Sequence, residues 1–195
     1  MRPDDIKDLT TFLTELQRET DRGLPLVGTA FIDQKLRDTL ESFFIDDKVG
    51  SKLLDDPNSP LGSFSSRLDC CYALGLINNY EHTEINLLRK VRNEFAHAKH
   101  GINFNSVKIA GLCSTLKSDL PLDADHPINQ PRFRFINAVT CIITRLYYRP
   151  EWVASEKRTV KSYGEELGKW ISVKDQLPPE AEIVLAVLGS SKKNK

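Results

Sequence analysis

The chain has 195 residues, of which 40% are hydrophobic and 28% charged, enough for one helical domain with its own core plus an appendage. Lys+Arg and Asp+Glu both number 27, so the formal net charge is zero. That balance argues against unaided binding to duplex DNA, where phosphate neutralisation supplies most of the affinity.

No apolar run approaches the roughly 20 residues of a membrane-spanning helix, and the acidic opening Met1-Arg2-Pro3-Asp4-Asp5 carries no secretory apolar segment. The four cysteines, Cys70, Cys71, Cys113 and Cys141, form no C-x-x-C pair, and three lie in apolar helical stretches. The expectation is a cytoplasmic protein with buried free thiols, no metal and no cofactor.

Ile6, Leu9, Phe12, Leu13 and Leu16 recur at intervals of three and four and predict a first helix over 4–20, with Asp4 and Asp5 suiting its positive end. A longer helix over 23–45 carries Leu26, Val27, Ala30, Phe31, Leu36, Leu40, Phe43 and Phe44, and tolerates Gly23 and Pro25 near its start. A turn-rich break at 46–50 leads to a short helical turn at 51–54 and a loop over 55–62. Ser63 caps a helix over 63–77, which Asn78-Asn79-Tyr80 ends.

The fourth main helix covers 82–99, with Ile85, Leu88, Val91 and Phe95 as its apolar stripe and Gly101 as its stop. A weaker helix follows over 105–117, and the proline-containing stretch 119–131 reads as a loop. Residues 133–148 are strongly apolar and read as a buried helix ended by Pro150. After a polar helix or coil to residue 168, Trp170-Ile171-Ser172-Val173 and Ile183-Val184-Leu185-Ala186-Val187-Leu188 are strand-like. The predicted fold is all-α: a single multi-helix bundle over 1–168, with a short β-like C-terminal tail over 169–195.

Chemistry concentrates in Arg92-Asn93-Glu94-Phe95-Ala96-His97. An arginine can hold a phosphate bidentately, and a histidine can move protons near neutral pH. On a straight helix Arg89, Asn93 and His97 share one face, whereas Arg92 and His97 lie about 140° apart. The pair can converge only where the helix ends or distorts, or across a two-fold interface.

The alternative use of Arg92 is structural. At the edge of the apolar stripe it would cover apolar surface and pair with Asp33 or Asp21, and His97 would be a cation near a helix C-terminus. The dense mixed-charge stretch around Asp21 and Arg22 reads as a solvated face. The segment ending in Arg67 reads as a tight turn and N-cap rather than a phosphate loop, since Gly-x-x-x-x-Gly-Lys is missing.

Four segments together resemble the mannitol operon repressor family of enteric and related bacteria. They are Asp21-Arg22-Gly23-Leu24-Pro25-Leu26-Val27-Gly28-Thr29-Ala30, Pro60-Leu61-Gly62-Ser63-Phe64-Ser65-Ser66-Arg67, Tyr72-Ala73-Leu74-Gly75-Leu76-Ile77, and Leu88-Arg89-Lys90-Val91-Arg92-Asn93-Glu94-Phe95-Ala96-His97. Their order and spacing match across about residues 8–150. The resemblance implies an all-helical regulator of mannitol uptake and use, without a helix-turn-helix. Asp21, Arg22, Asp33, Arg67, Arg92, Asn93 and His97 are its motif or structural candidates.

The Arg92-Asn93-x-x-x-His97 pattern is also similar to the signature of the HEPN superfamily, helical and often dimeric proteins that include metal-independent ribonucleases. Carried over, Arg92 would hold the scissile phosphate, Asn93 orient it and His97 aid proton transfer. The tail segment Trp170-Ile171-Ser172-Val173-Lys174-Asp175-Gln176-Leu177-Pro178 resembles the opening of a small domain of unknown function in phage and bacterial proteins.

The preferred expectation is therefore a non-enzymatic, homodimeric regulator that works through an unidentified protein partner. A HEPN-like ribonuclease of a toxin or defence system and a non-catalytic helical scaffold are the alternatives. With no basic excess, the purified protein is expected to bind duplex DNA weakly or not at all at physiological salt. A gel shift giving nanomolar affinity for one operator in the presence of competitor DNA would contradict this.

Overall fold

The computed structural model describes residues 2–121 and 126–161. Among the described residues eight helices follow one another: α1 (Pro3–Arg18), α2 (Gly23–Phe43), α3 (Lys48–Asp55), α4 (Phe64–Ala73), α5 (Asn79–His97), α6 (Val107–Ser114), α7 (Pro131–Leu146) and α8 (Arg149–Ala154). The fold is all-α, and no strand occurs among the described residues. The chain divides into two compact units, 1–159 and 160–195, and all eight helices belong to the first. The strand-like runs expected after residue 168 lie outside the described residues.

Two long helices organise the bundle. α2 packs against α1, α3, α4, α5, α7 and α8, and α5 packs against α2, α4, α6 and α7. The inward face of α2 is Leu24, Gly28, Ile32, Leu36, Leu40 and Phe43, close to one residue per turn. α5 answers with Ile85, Leu88, Val91 and Phe95, all fully buried. Phe104, in the loop after α5, lies 5.0 Å from the Phe95 ring and 5.5 Å from Phe135 of α7, centroid to centroid, so the three rings tie that loop into the core.

Several boundaries differ from the sequence expectation for local reasons. α3 is a full eight residues, because the Asp47 side chain accepts from the Val49 N–H and caps it. α4 stops at Ala73 rather than near residue 77. Gly75 takes φ +73°, its N–H donates to the Tyr72 carbonyl and the Leu76 N–H to the Cys71 carbonyl, which is a Schellman stop. Asn78 does not end α4. It caps α5, accepting from the Glu81 N–H while the Glu81 carboxylate accepts from the Asn78 N–H. Pro150 lies in the first turn of α8, where a missing N–H costs nothing.

α7 is buried as expected, with Phe135, Ala138, Val139, Ile142, Ile143 and Leu146 all fully covered. The bundle itself covers that apolar face. Cys71 and Cys113 are buried and Cys70 and Cys141 half-buried, all free. Burial raises all four thiols above the ordinary range, Cys113 to about 12, so they stay protonated near neutrality.

Two acids of α5 are buried yet satisfied. Glu84 accepts from the Lys117 N–H at 2.6 Å and the Ser118 hydroxyl at 2.9 Å, which pins the segment after α6. Glu81 accepts from the Arg149 guanidinium at 2.7 Å, and Arg149 also donates to the Leu76 carbonyl. One carboxylate therefore joins the start of α5, the end of α4 and the start of α8. Glu81→Ala strands Arg149 and removes half of the capping box, so urea unfolding should show a loss of about 3–5 kcal/mol. Glu81→Gln keeps the cap geometry and should lose less.

Candidate functional site

A cleft of about 400 Å³ lies between α2, the start of α4 and α5. α2 contributes Leu26, Thr29, Ala30 and Asp33, at helical spacing along one face. The turn into α4 contributes Gly62, Phe64, Ser65 and Arg67, and α5 contributes Arg89, Arg92 and Asn93.

The α4 entrance is built by a tight local fold. The Leu61 N–H and the Ser59 hydroxyl both donate to the Leu53 carbonyl, and the Gly62 N–H donates to Ser59. A Cβ on Gly62 would stand 2.2 Å from the Asp56 carbonyl oxygen, so the loop can fold back this closely only with glycine there. Ser63 then caps α4, its hydroxyl accepting from the Ser66 N–H at 3.1 Å. That is the N-cap expected from sequence.

Arg67 is locked. Its Nε and Nη2 donate to the two Asp33 oxygens at 2.8 and 2.7 Å, and Nη1 donates to the Leu61 carbonyl at 2.8 Å. The fork bridges α4 to α2 with both partners mostly covered: 11% of the Arg67 side chain and 24% of that of Asp33 stay exposed. Such bidentate geometry is the strong form of the ion pair.

The other two arginines lack this partner. Arg89 Nη2 donates to Asn86 Oδ1 at 2.8 Å, while its Nε is buried with no hydrogen-bond partner. Arg92 Nη1 donates to Asn93 Oδ1 at 3.1 Å. Among the described residues neither arginine forms an ion pair.

The expected pairing of Arg92 with Asp33 or Asp21 is therefore corrected. Asp33 spends both oxygens on Arg67. Asp21 accepts from Arg132 Nη1 at 2.9 Å and from the Phe104 N–H at 3.3 Å. Arg92 is exposed on α5.

The remaining candidates form a second group, at the corner between α1 and α2. Arg22 Nη2 donates 2.9 Å to the Ala98 carbonyl, closing the end of α5, and Asp21 ties that corner to α7 through Arg132. The mixed-charge stretch thus holds the bundle together rather than forming only a solvated face. His97 is the last residue of α5, exposed, and does not line the cleft. α5 stays α-helical through His97, and a five-residue spacing on a regular helix puts the two side chains on different faces.

Sequence reasoning placed Arg89 with Asn93 on one face but gave Arg89 no role. The signal was available in Arg89, Arg92 and Asn93, which stand at i, i+3 and i+4.

No family model matches this chain, and no curated protein matches it. Among solved structures it is similar to a chain in the X-ray structure of the MtlR-HPr complex from Escherichia coli. The chain has an MtlR-like fold. The match has 22% sequence identity and a TM-score of 0.57, and covers 71% of this chain and 97% of that one.

The geometry ranks the two sets of arginines by structural weight. Arg67→Ala removes three hydrogen bonds and strands Asp33, and should cost about 2–4 kcal/mol in chemical denaturation. Arg92→Ala and His97→Ala, both at exposed positions, should stay within about 0.5 kcal/mol of the parent.

Proposed function

We propose that this protein is a cytoplasmic transcriptional regulator that acts by contacting a protein partner, in negative control of an operon for the use of a sugar alcohol such as mannitol. The observation that carries the reading is the MtlR-like fold, seen in a structure that holds MtlR in complex with HPr. The proposed partner is a protein of the HPr kind. The four linked sequence segments support the same reading. A net charge of zero favours a protein surface over duplex DNA as the target. A homodimer is part of the proposal, on the sequence resemblance alone. Among the described residues no helix is long and apolar enough to cross a membrane.

The ribonuclease alternative needs an acid–base group within reach of the phosphate-holding arginine. Arg92 and Asn93 line the cleft, but within one chain His97 lies outside it. Calorimetric titration of purified HPr into the full chain should give a saturable complex. RNA incubated with the protein in EDTA should remain intact. The absence of any complex at micromolar concentrations would count against the partner. EDTA-resistant RNA cleavage that vanishes in a folded His97→Ala variant would move the protein to the ribonuclease class.

A further inference from the structure

We propose that the cleft between α2, α4 and α5 binds the phosphate monoester of a small hydroxyl-bearing molecule, gripped by Arg89 and Arg92. The proposal stands on the cleft and does not depend on the protein partner.

Charge comes first. Three guanidinium groups and one carboxylate line the cleft. Arg67 and Asp33 neutralise each other through two hydrogen bonds. That leaves two positive charges three residues apart on one helix face, a spacing at which like charges repel. An anion between them turns that repulsion into attraction.

Hydrogen bonding points the same way. Arg89 spends one donor on Asn86 and Arg92 one on Asn93, and among the described residues neither guanidinium meets a carboxylate, so donors remain for an anion. The first turn of α4, a ten-residue helix, contributes Phe64 and Ser65 to the same wall and carries no acidic residue. Its positive end therefore adds to the field that an anion would meet.

The class of anion follows from charge and volume. A phosphate monoester carries about −1.5 to −2 near neutral pH and can satisfy two forks, whereas a single carboxylate satisfies one. The cleft volume of about 400 Å³ lies within the range of small-molecule sites and leaves room beyond the phosphate. There Leu26, Ala30 and Phe64 offer apolar contact, while Ser65 and Asn93 offer polar groups suited to hydroxyls. The chain has no overall basic excess to follow a polyanion, so a compact ligand fits better than a nucleic-acid strand.

The test is calorimetric titration of the full chain in phosphate-free buffer with glucose 6-phosphate, glycerol 3-phosphate, inorganic phosphate, glucose and a short RNA. The expected result is saturable binding, one per chain, of at least one of the two esters, with no binding of glucose and weaker binding of inorganic phosphate. Arg89→Gln and Arg92→Gln should each weaken the ester by about tenfold or more. Arg92→Lys, which keeps the charge but loses the fork, should fall between. Arg92 is exposed, so Arg92→Gln should melt with the parent, which separates lost binding from lost fold. No saturable binding of either ester at millimolar concentration overturns the proposal. So does ester binding that Arg92→Gln leaves unchanged, inorganic phosphate binding as tightly as the esters, or RNA binding more tightly than either ester through the same arginines.

Discussion

Every helix ends with carbonyls that have no partner inside the helix, and burying such an end requires a donor from elsewhere. In this bundle the donors are arginines from distant elements. Arg132 donates to the Gln17 and Glu19 carbonyls at the end of α1. Arg22 does so for α5, Arg134 for α6 through Cys113 and Leu116, and Arg149 for the turn after α4. A guanidinium is suited to this because it offers five fixed donors and can satisfy a carbonyl and a carboxylate together. Arg132 with Asp21 and Arg149 with Glu81 do so here. The positive charge also sits at the negative end of each helix dipole.

The same accounting isolates the functional candidates. Once the capping arginines and the Arg67–Asp33 fork are assigned to the fold, Arg89 and Arg92 remain in a cleft without a carboxylate of their own. A neutral protein keeps two cations together there because Asp33 is held by α4. Without Arg67, Asp33 would be available to the α5 arginines and could neutralise one of the two. The structural ion pair thus sets the electrostatics of the site.

The seven candidate residues divide by this test. Asp33, Arg67, Arg92 and Asn93 meet in the cleft, whereas Asp21 and Arg22 hold a corner of the bundle and His97 stands apart on the exposed end of α5. The Arg-polar-x-x-x-His pattern is local, but convergence of its two ends depends on helix geometry. A regular helix keeps a five-residue pair on different faces. The motif is therefore a weaker guide than the cleft, in which a helix 34 residues away from Asp33 in sequence supplies its partner.

The helical fold class was legible from residue order alone, because a 3.6-residue apolar period needs only neighbours along the chain. The stripes of α2, α5 and α7 and the Ser63 cap belong to that local information, whereas α5 ends at His97 through an extended Ala98, short of the expected stop at Gly101. What the sequence could not specify was pairing at a distance. Whether Asp33 would meet Arg67 or Arg92, and whether Asn78 would end one helix or begin the next, depended on which surfaces the packed helices brought together. A charged side chain carries no mark of its partner. Only the tertiary structure decides which arginines are consumed by helix ends and carboxylates and which remain in the cleft without one.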